Sequence, residues 1–189
     1  IQFDEATAVL AGDALLTYAF ELLSRHYSYA PEIGLELVRI LSEAAGSQKL
    51  IGGQMEDVLG EKRSLTDDEL SFIHLNKTSA LIEGSLHMGA VIGKASSSEM
   101  KSIRAYGRCI GFGFQIVDDI LDATSDSRTL GKNVGADEAS HKSTFVSIHG
   151  LDESRRRATE LADQAYEICD DLDMPFLKEL ALYLNRRSN

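Results

Sequence analysis

The stretch Gly111-Phe-Gly-Phe-Gln-Ile-Val-Asp-Asp-Ile-Leu-Asp122 sets three carboxylates into a segment that is otherwise apolar on nearly every side. Successive residues of a helix advance by about 100°, so Gln115, Asp118, Asp119 and Asp122 fall at i, i+3, i+4 and i+7 and form one polar stripe. Phe112, Phe114, Ile116, Val117, Ile120 and Leu121 take the other directions. A helix apolar over most of its circumference is normally buried, and a buried carboxylate is costly unless it is paired, protonated or bound to a cation. Oxygen ligands grouped this closely suit a hard divalent ion. Mg²⁺ in particular prefers one or two carboxylates together with waters and substrate phosphates. The plainer alternative is a group of solvated acids near a helix end, and the pattern alone leaves both readings open.

Working outward from this stretch, Ser96-Ser-Ser-Glu99 is a capping box that opens the helix leading through Ile103, Tyr106 and Ile110 into the acids. Thr66-Asp-Asp-Glu69 is another, and predicts a long helix from there to about Gly93, with Leu70, Ile73, Leu81 and Ile82 on its inner face. On its other side His74, Lys77 and Thr78, spaced i, i+3, i+4, gather an imidazole, an ammonium and a hydroxyl. Nearer the start, Asp4 caps a first helix that ends at about Arg25 and carries Asp13 on an apolar run. Pro31 opens a second helix. A third apolar pattern through Leu50, Ile51, Met55 and Val58 places Gln54 and Asp57 on one face, where simple solvent exposure is the plainer reading.

After the acids the periodicity fails from Ser125 to Lys142, a polar loop that carries Lys132 and Lys142 and can fold back towards the stripe. A short helical piece then covers Phe145, Val146 and Ile148. Asp152 is read as the cap of a further amphipathic helix to about Leu172, and Pro175 as the start of the last one.

Length and composition agree with a helical reading. The 189 residues are one domain's worth, 43% hydrophobic, with only 2 prolines and no tryptophan, which favours helices over many short strands. Thirty acidic against 19 basic residues give a net charge of -11, which disfavours nucleic acid and anionic membranes as partners. Cys109 and Cys169 lie inside helical patterns without metal-type spacing and read as buried free thiols of a reducing compartment. No signal peptide and no uninterrupted run of eighteen apolar residues is present, so the expectation is a cytoplasmic protein without stable membrane insertion. Residue 1 is Ile, which suggests a chain that begins inside a longer protein.

Three acids on one helix, a Lys-Thr pair on the preceding one and two lysines on the following loop form a site of alternating charge, into which a diphosphate fits. A nucleophilic triad is not indicated, because no Ser, His and Asp set shares a recognisable elbow. A carboxylate-bridged di-iron bundle would need Glu-x-x-His on two helices, which the chain lacks.

At these residues the sequence resembles the trans-isoprenyl diphosphate synthases, the family of farnesyl and geranylgeranyl diphosphate synthases. Seven blocks carry the resemblance in order along the chain: Leu10-Ala-Gly-Asp-Ala-Leu15, Gly53-Gln-x-x-Asp57, His74-x-x-Lys-Thr78, Phe114-Gln-x-x-Asp-Asp-x-x-Asp122, Leu130-Gly-Lys132, Gly135-Ala-Asp137 and Lys142-Ser-Thr144. The resemblance implies an all-α helical bundle, with residues 1–189 forming the C-terminal two thirds of a polyprenyl synthetase domain. It also implies a homodimer, three Mg²⁺ ions, and the condensation of isopentenyl diphosphate with an allylic diphosphate (dimethylallyl, geranyl or farnesyl) to a short-chain all-trans product.

Carried over to this numbering, the resemblance makes Asp118, Asp119 and Asp122 the second aspartate-rich motif, with Asp118 the foremost Mg²⁺ ligand. Lys77, Lys132 and Lys142 are then expected on the allylic diphosphate. Thr78 and Gln115 are expected beside the reacting carbons, and Gln54 and Asp57 at the border of the same cavity. The family's first aspartate-rich motif is missing and is expected shortly before Ile1, so the chain alone is expected to be inactive. Rival readings are a non-catalytic subunit of a heteromeric synthase, a class I terpene cyclase, and an acidic helical scaffold that merely binds Ca²⁺. Retention of the acids and lysines speaks against the first, and a cyclase has no use for Lys77 and Lys142.

Overall fold

The computed structural model describes residues 3–61, 63–124 and 143–188, and among these there is helix and no strand. The chain runs through α1 (Glu5–His26), α2 (Pro31–Ala45), α3 (Leu50–Gly60), α4 (Asp67–Ile73), a π-helical segment (His74–Ser79), α5 (Ala80–Ile92), α6 (Ser97–Thr124), α7 (Phe145–His149), α8 (Leu151–Asp171) and α9 (Pro175–Ser188).

Local chemistry sets most of these boundaries. Asp4 accepts the Thr7 amide at the start of α1. Thr66 and Glu69 exchange both capping-box bonds at α4, as do Ser96 and Glu99 before α6. Each device supplies acceptors for amides that no preceding turn can satisfy. Pro31 and Pro175 stand at the first positions of α2 and α9. Asp152, expected to cap the helix after Phe145, instead lies inside the first turn of α8, and the cap is Gly150.

The 28-residue α6 is the axis of the bundle, packed by α5, α8, α9, α7 and the π-helical segment. Ile103, Tyr106, Ile110, Ile116, Val117 and Ile120 of α6 are buried against Leu70, Phe145, Leu161, Ala165, Cys169 and Leu184. Cys169 is fully buried and Cys109 half-buried, and both are free thiols.

α1, expected from the Asp4 cap to about Arg25, forms as Glu5–His26 but leaves its apolar run uncovered. Among the described residues it buries none, packs mainly on α2, and exposes Val9, Leu10, Leu15, Leu16 and Tyr18. By length and composition it is apolar enough to cross a bilayer, with a mean hydropathy of 1.4 over eighteen residues despite Asp13. The absence of an uninterrupted apolar run therefore did not exclude such a segment.

The long helix expected from Thr66 to Gly93 is interrupted by the π-helical turn at His74–Ser79. Its wider turn accommodates an extra residue, so α5 continues out of phase with α4.

Candidate active site

The π-helical segment lies between α3 and α6 with almost no space on either side. A Cβ added at Gly53 of α3 would stand 2.4 Å from the Lys77 amide nitrogen, and one added at Gly111 of α6 would stand 2.4 Å from Ser79 Oγ. Only glycine allows both backbones this close.

The segment then distributes its side chains in three directions, where the α-helical spacing had put them together. His74 is buried, its Nε2 3.7 Å from Asp119 Oδ2 and its ring against Phe112. Lys77 reaches α3, with Nζ 2.6 Å from Asp57 Oδ2. Thr78 donates its hydroxyl to Gln115 Oε1 of α6 at 3.0 Å.

Gln115 continues this line by donating Nε2–H to Asp119 Oδ1 at 3.3 Å. An ionised carboxylate only accepts, so the amide group must face Asp119 and its oxygen must face Thr78. The other oxygen of Asp119 accepts the Phe145 amide at 2.7 Å. Thr78, Gln115, Asp119 and Phe145 are thus joined in one line of hydrogen bonds.

The stripe of acids is not uniform. Asp118 and Asp122, one turn apart, are half-buried, while Asp119 is only 6% exposed and turned into the packing around Phe145 and His74. Of the pair on α3, Asp57 is buried and Gln54 is exposed. Lys132 and Lys142 lie outside the described residues.

A third buried acid, after Asp119 and Asp57, escaped the sequence reading. Glu83 of α5 is 8% exposed and takes Arg104 Nε at 2.7 Å and Arg108 Nη1 at 3.1 Å from α6. Its signal was a lone acid in the apolar run Ala80-Leu-Ile-Glu-Gly84, the same kind of signal that singled out Asp118. Phe145 could not have been found this way, because its contribution is a backbone amide. A cavity of about 540 Å³ lined by Leu86, Ile103, Met174 and Leu177 lies at the other end of α5 and α6, away from the acids.

Among the described residues no three His, Cys, Asp or Glu side chains converge on one point as a metal site. Asp118 and Asp122 offer hard oxygen donors on one face of α6. Such a pair fits a Mg²⁺ whose remaining positions are filled by water and phosphate, in place of an all-protein cage.

An all-helical bundle whose axial helix carries these acids towards its C-terminal end, with a Lys-Thr pair on the segment packed against it, is the architecture of the isoprenyl diphosphate synthases. The polyprenyl synthetase family matches residues 1–177, and this chain belongs to it. The chain is 42% identical, over 99% of its length and 53% of the relative's, to the chloroplastic "heterodimeric geranylgeranyl pyrophosphate synthase large subunit 1" of Arabidopsis thaliana. It is 39% identical to the farnesyl diphosphate synthase of Micrococcus luteus, covering 99% of this chain and 65% of that one. Among solved structures, the Helicobacter pylori geranyltransferase complexed with magnesium and isoprenyl diphosphate superposes with a TM-score of 0.82 at 39% identity, covering 97% of this chain and 60% of that one. The chain therefore spans between half and two thirds of the length of these relatives.

Proposed function

We propose that this chain is the larger part of a prenyltransferase that condenses isopentenyl diphosphate with an allylic diphosphate into a short-chain all-trans isoprenyl diphosphate. The observation that carries the reading is the placement of Thr78 and Lys77 on one π-helical turn: the Thr78 hydroxyl is held on Gln115 of α6, one turn from Asp118, while Lys77 beside it is held on Asp57 of α3.

In this reading Lys77 exchanges its Asp57 partner for oxygens of the allylic diphosphate. Thr78 and Gln115 direct oxygen dipoles at the positive charge that develops on the allylic carbons as the diphosphate departs. Asp118 and Asp122 would hold Mg²⁺, which when bound would supply Lewis-acid stabilisation of the diphosphate leaving group. The apolar packing of α6 keeps water from the cation. Three Mg²⁺ ions, Lys132 and Lys142 on the diphosphate, and Gln54 at the cavity's border belong to the same proposal, supported by the family relationship.

The proposal extends to assembly as a dimer. The exposed apolar residues of α1 support a covering partner, whether a second copy or a related subunit, as in the relative named heterodimeric.

The test is incubation of the full-length protein with labelled isopentenyl diphosphate, Mg²⁺ and each allylic diphosphate in turn. Chain-extended products that vanish on chelation are expected. Release of cyclic hydrocarbons would instead identify a cyclase, and no turnover together with enhanced activity of an added synthase would identify a regulatory subunit.

A further inference from the structure

Asp119 is the most buried acid of the stretch and is surrounded by donors of the protein itself. Its Oδ2 accepts the Phe145 amide at 2.7 Å, a charge-assisted bond in buried surroundings, and lies 3.7 Å from His74 Nε2. Its Oδ1 accepts Gln115 Nε2–H at 3.3 Å. Both oxygens are committed, and the residue is 6% exposed.

The Phe145 amide has a particular need for this acceptor. It is the first residue of α7, where an amide has no carbonyl of a preceding helical turn to bond. The α7 cap, Thr144, accepts from Ser147 and leaves Phe145 to another partner. Asp119 is that partner, twenty-six residues earlier on α6.

The same short stretch is fastened elsewhere as well. Ser143 Oγ accepts the Leu65 amide at 3.0 Å, His149 Nε2 lies 2.6 Å from Asp67 Oδ1, and the Phe145 ring packs between Phe112 and His149. The Leu65 and Asp67 contacts tie residues 143–149 to the start of α4, and the Phe112 ring meets them from α6. Asp119 ties their backbone to the axial helix beside Asp118.

We infer that Asp119 is a positioning residue and not a metal ligand: it fixes the point at which the chain returns to the bundle at Phe145, and it orients Gln115 so that its carbonyl oxygen meets Thr78. The inference rests on the reading of the site as a Mg²⁺-diphosphate site. It assigns the three acids of the stretch two different tasks.

Asparagine separates the two roles, because it keeps one carbonyl acceptor for Phe145 while giving up the charge a Mg²⁺ ligand needs. The experiment compares the full-length protein with Asp119→Asn and Asp119→Ala. It reads hydrogen exchange across residues 143–149 and the Mg²⁺ dependence of inorganic diphosphate binding.

For a positioning residue, Asp119→Asn keeps slow exchange at Phe145 and Asp119→Ala accelerates it by about tenfold or more. The Mg²⁺ concentration for half-maximal binding stays within about threefold in Asp119→Asn, well short of the loss expected on removing a ligand. Equal weakening of Mg²⁺-dependent binding in both variants, with Phe145 exchange unchanged, would overturn the inference. If Asp119→Ala does not fold, the Mg²⁺ titration of Asp119→Asn decides alone. Failure of the unsubstituted protein to bind diphosphate with Mg²⁺ would count against the proposed function, while Phe145 exchange would still report on the anchor.

Discussion

Lys77 Nζ stands 2.6 Å from Asp57 Oδ2, in an ion pair whose carboxylate is 9% exposed and whose ammonium is 32% exposed. The lysine therefore reaches the site already neutralised, and an anionic ligand has to displace its partner. Asp57→Asn removes that competition while keeping an acceptor, and should tighten inorganic diphosphate binding severalfold. Lys77→Met should weaken binding by at least about tenfold, the equivalent of losing one charge-assisted hydrogen bond, and should cost the fold about 1–2 kcal/mol. Titration calorimetry with thermal unfolding checks both. Unchanged affinity in both variants would reduce Lys77 to a structural counter-ion of Asp57.

Gln115→Glu makes a different demand on the same line of bonds. It replaces the N–H that faces Asp119 Oδ1 by a second acceptor and puts two carboxylates at hydrogen-bond distance. Like charges raise the pKa of one of the pair, so the destabilisation is present at neutral pH and disappears as pH falls through the raised value. A loss of about 1–3 kcal/mol at neutral pH that shrinks on mild acidification is expected in urea titrations. A loss independent of pH would mean that Gln115 and Asp119 do not interact as described.

Gly111→Ala places a methyl 2.4 Å from Ser79 Oγ and 2.5 Å from Ser79 Cα. Backbone contact of this kind cannot be relieved by a rotamer change, so α6 must move off the π-helical segment. Destabilisation of about 1–3 kcal/mol or more is expected, together with weaker diphosphate binding, because Thr78 is carried away from Gln115. Gly89→Ala, where nothing lies within 4 Å, is the control and should be neutral or stabilising by virtue of helix propensity.

At alkaline pH the core should give way before the surface does. Burial pushes the Cys169 thiol from 9.0 up to about 11, and burial followed by the neighbouring Cys169 raises the Tyr106 phenol well above its usual 10.0. Above pH 9 the unfolded chain releases these protons while the folded chain keeps them, so stability falls as pH rises from 9 through about 11. Tyr106→Phe deletes the bond from the Tyr106 hydroxyl to the Leu177 carbonyl. It should lower Tm at neutral pH, by about 1 kcal/mol of stability, yet fall less steeply with alkali. Parallel pH profiles for the two proteins would contradict the assignment.

The sequence disclosed the helices through their ends and the axial helix through its apolar surface. Thr66 with Glu69 and Ser96 with Glu99 are local devices, complete within four residues, and the structure uses both. What stayed hidden depended on distant backbone. The π-helical turn at His74–Ser79 exists because Gly53 and Gly111 admit it from two sides, and neither glycine announces this in its own neighbourhood. The difference in burial between Asp119 and its neighbours Asp118 and Asp122 was hidden for a related reason. Spacing assigns side chains to a face, but only the position of Phe145, beyond a long connection, decides that Asp119 faces protein.

The bonds that Arg104 and Arg108 donate to Glu83 fasten α5 to α6, and the close approach of Gly111 to Ser79 seats the adjoining π-helical segment on the same helix at a second height. A rod held at two points cannot slide along its neighbour. The spacing between Thr78 and Gln115 is therefore a fixed gauge. In a prenyltransferase, substrates of different chain length would all present their reacting ends to the same gauge. Discrimination among them would then fall to walls other than the α5–α6 seam.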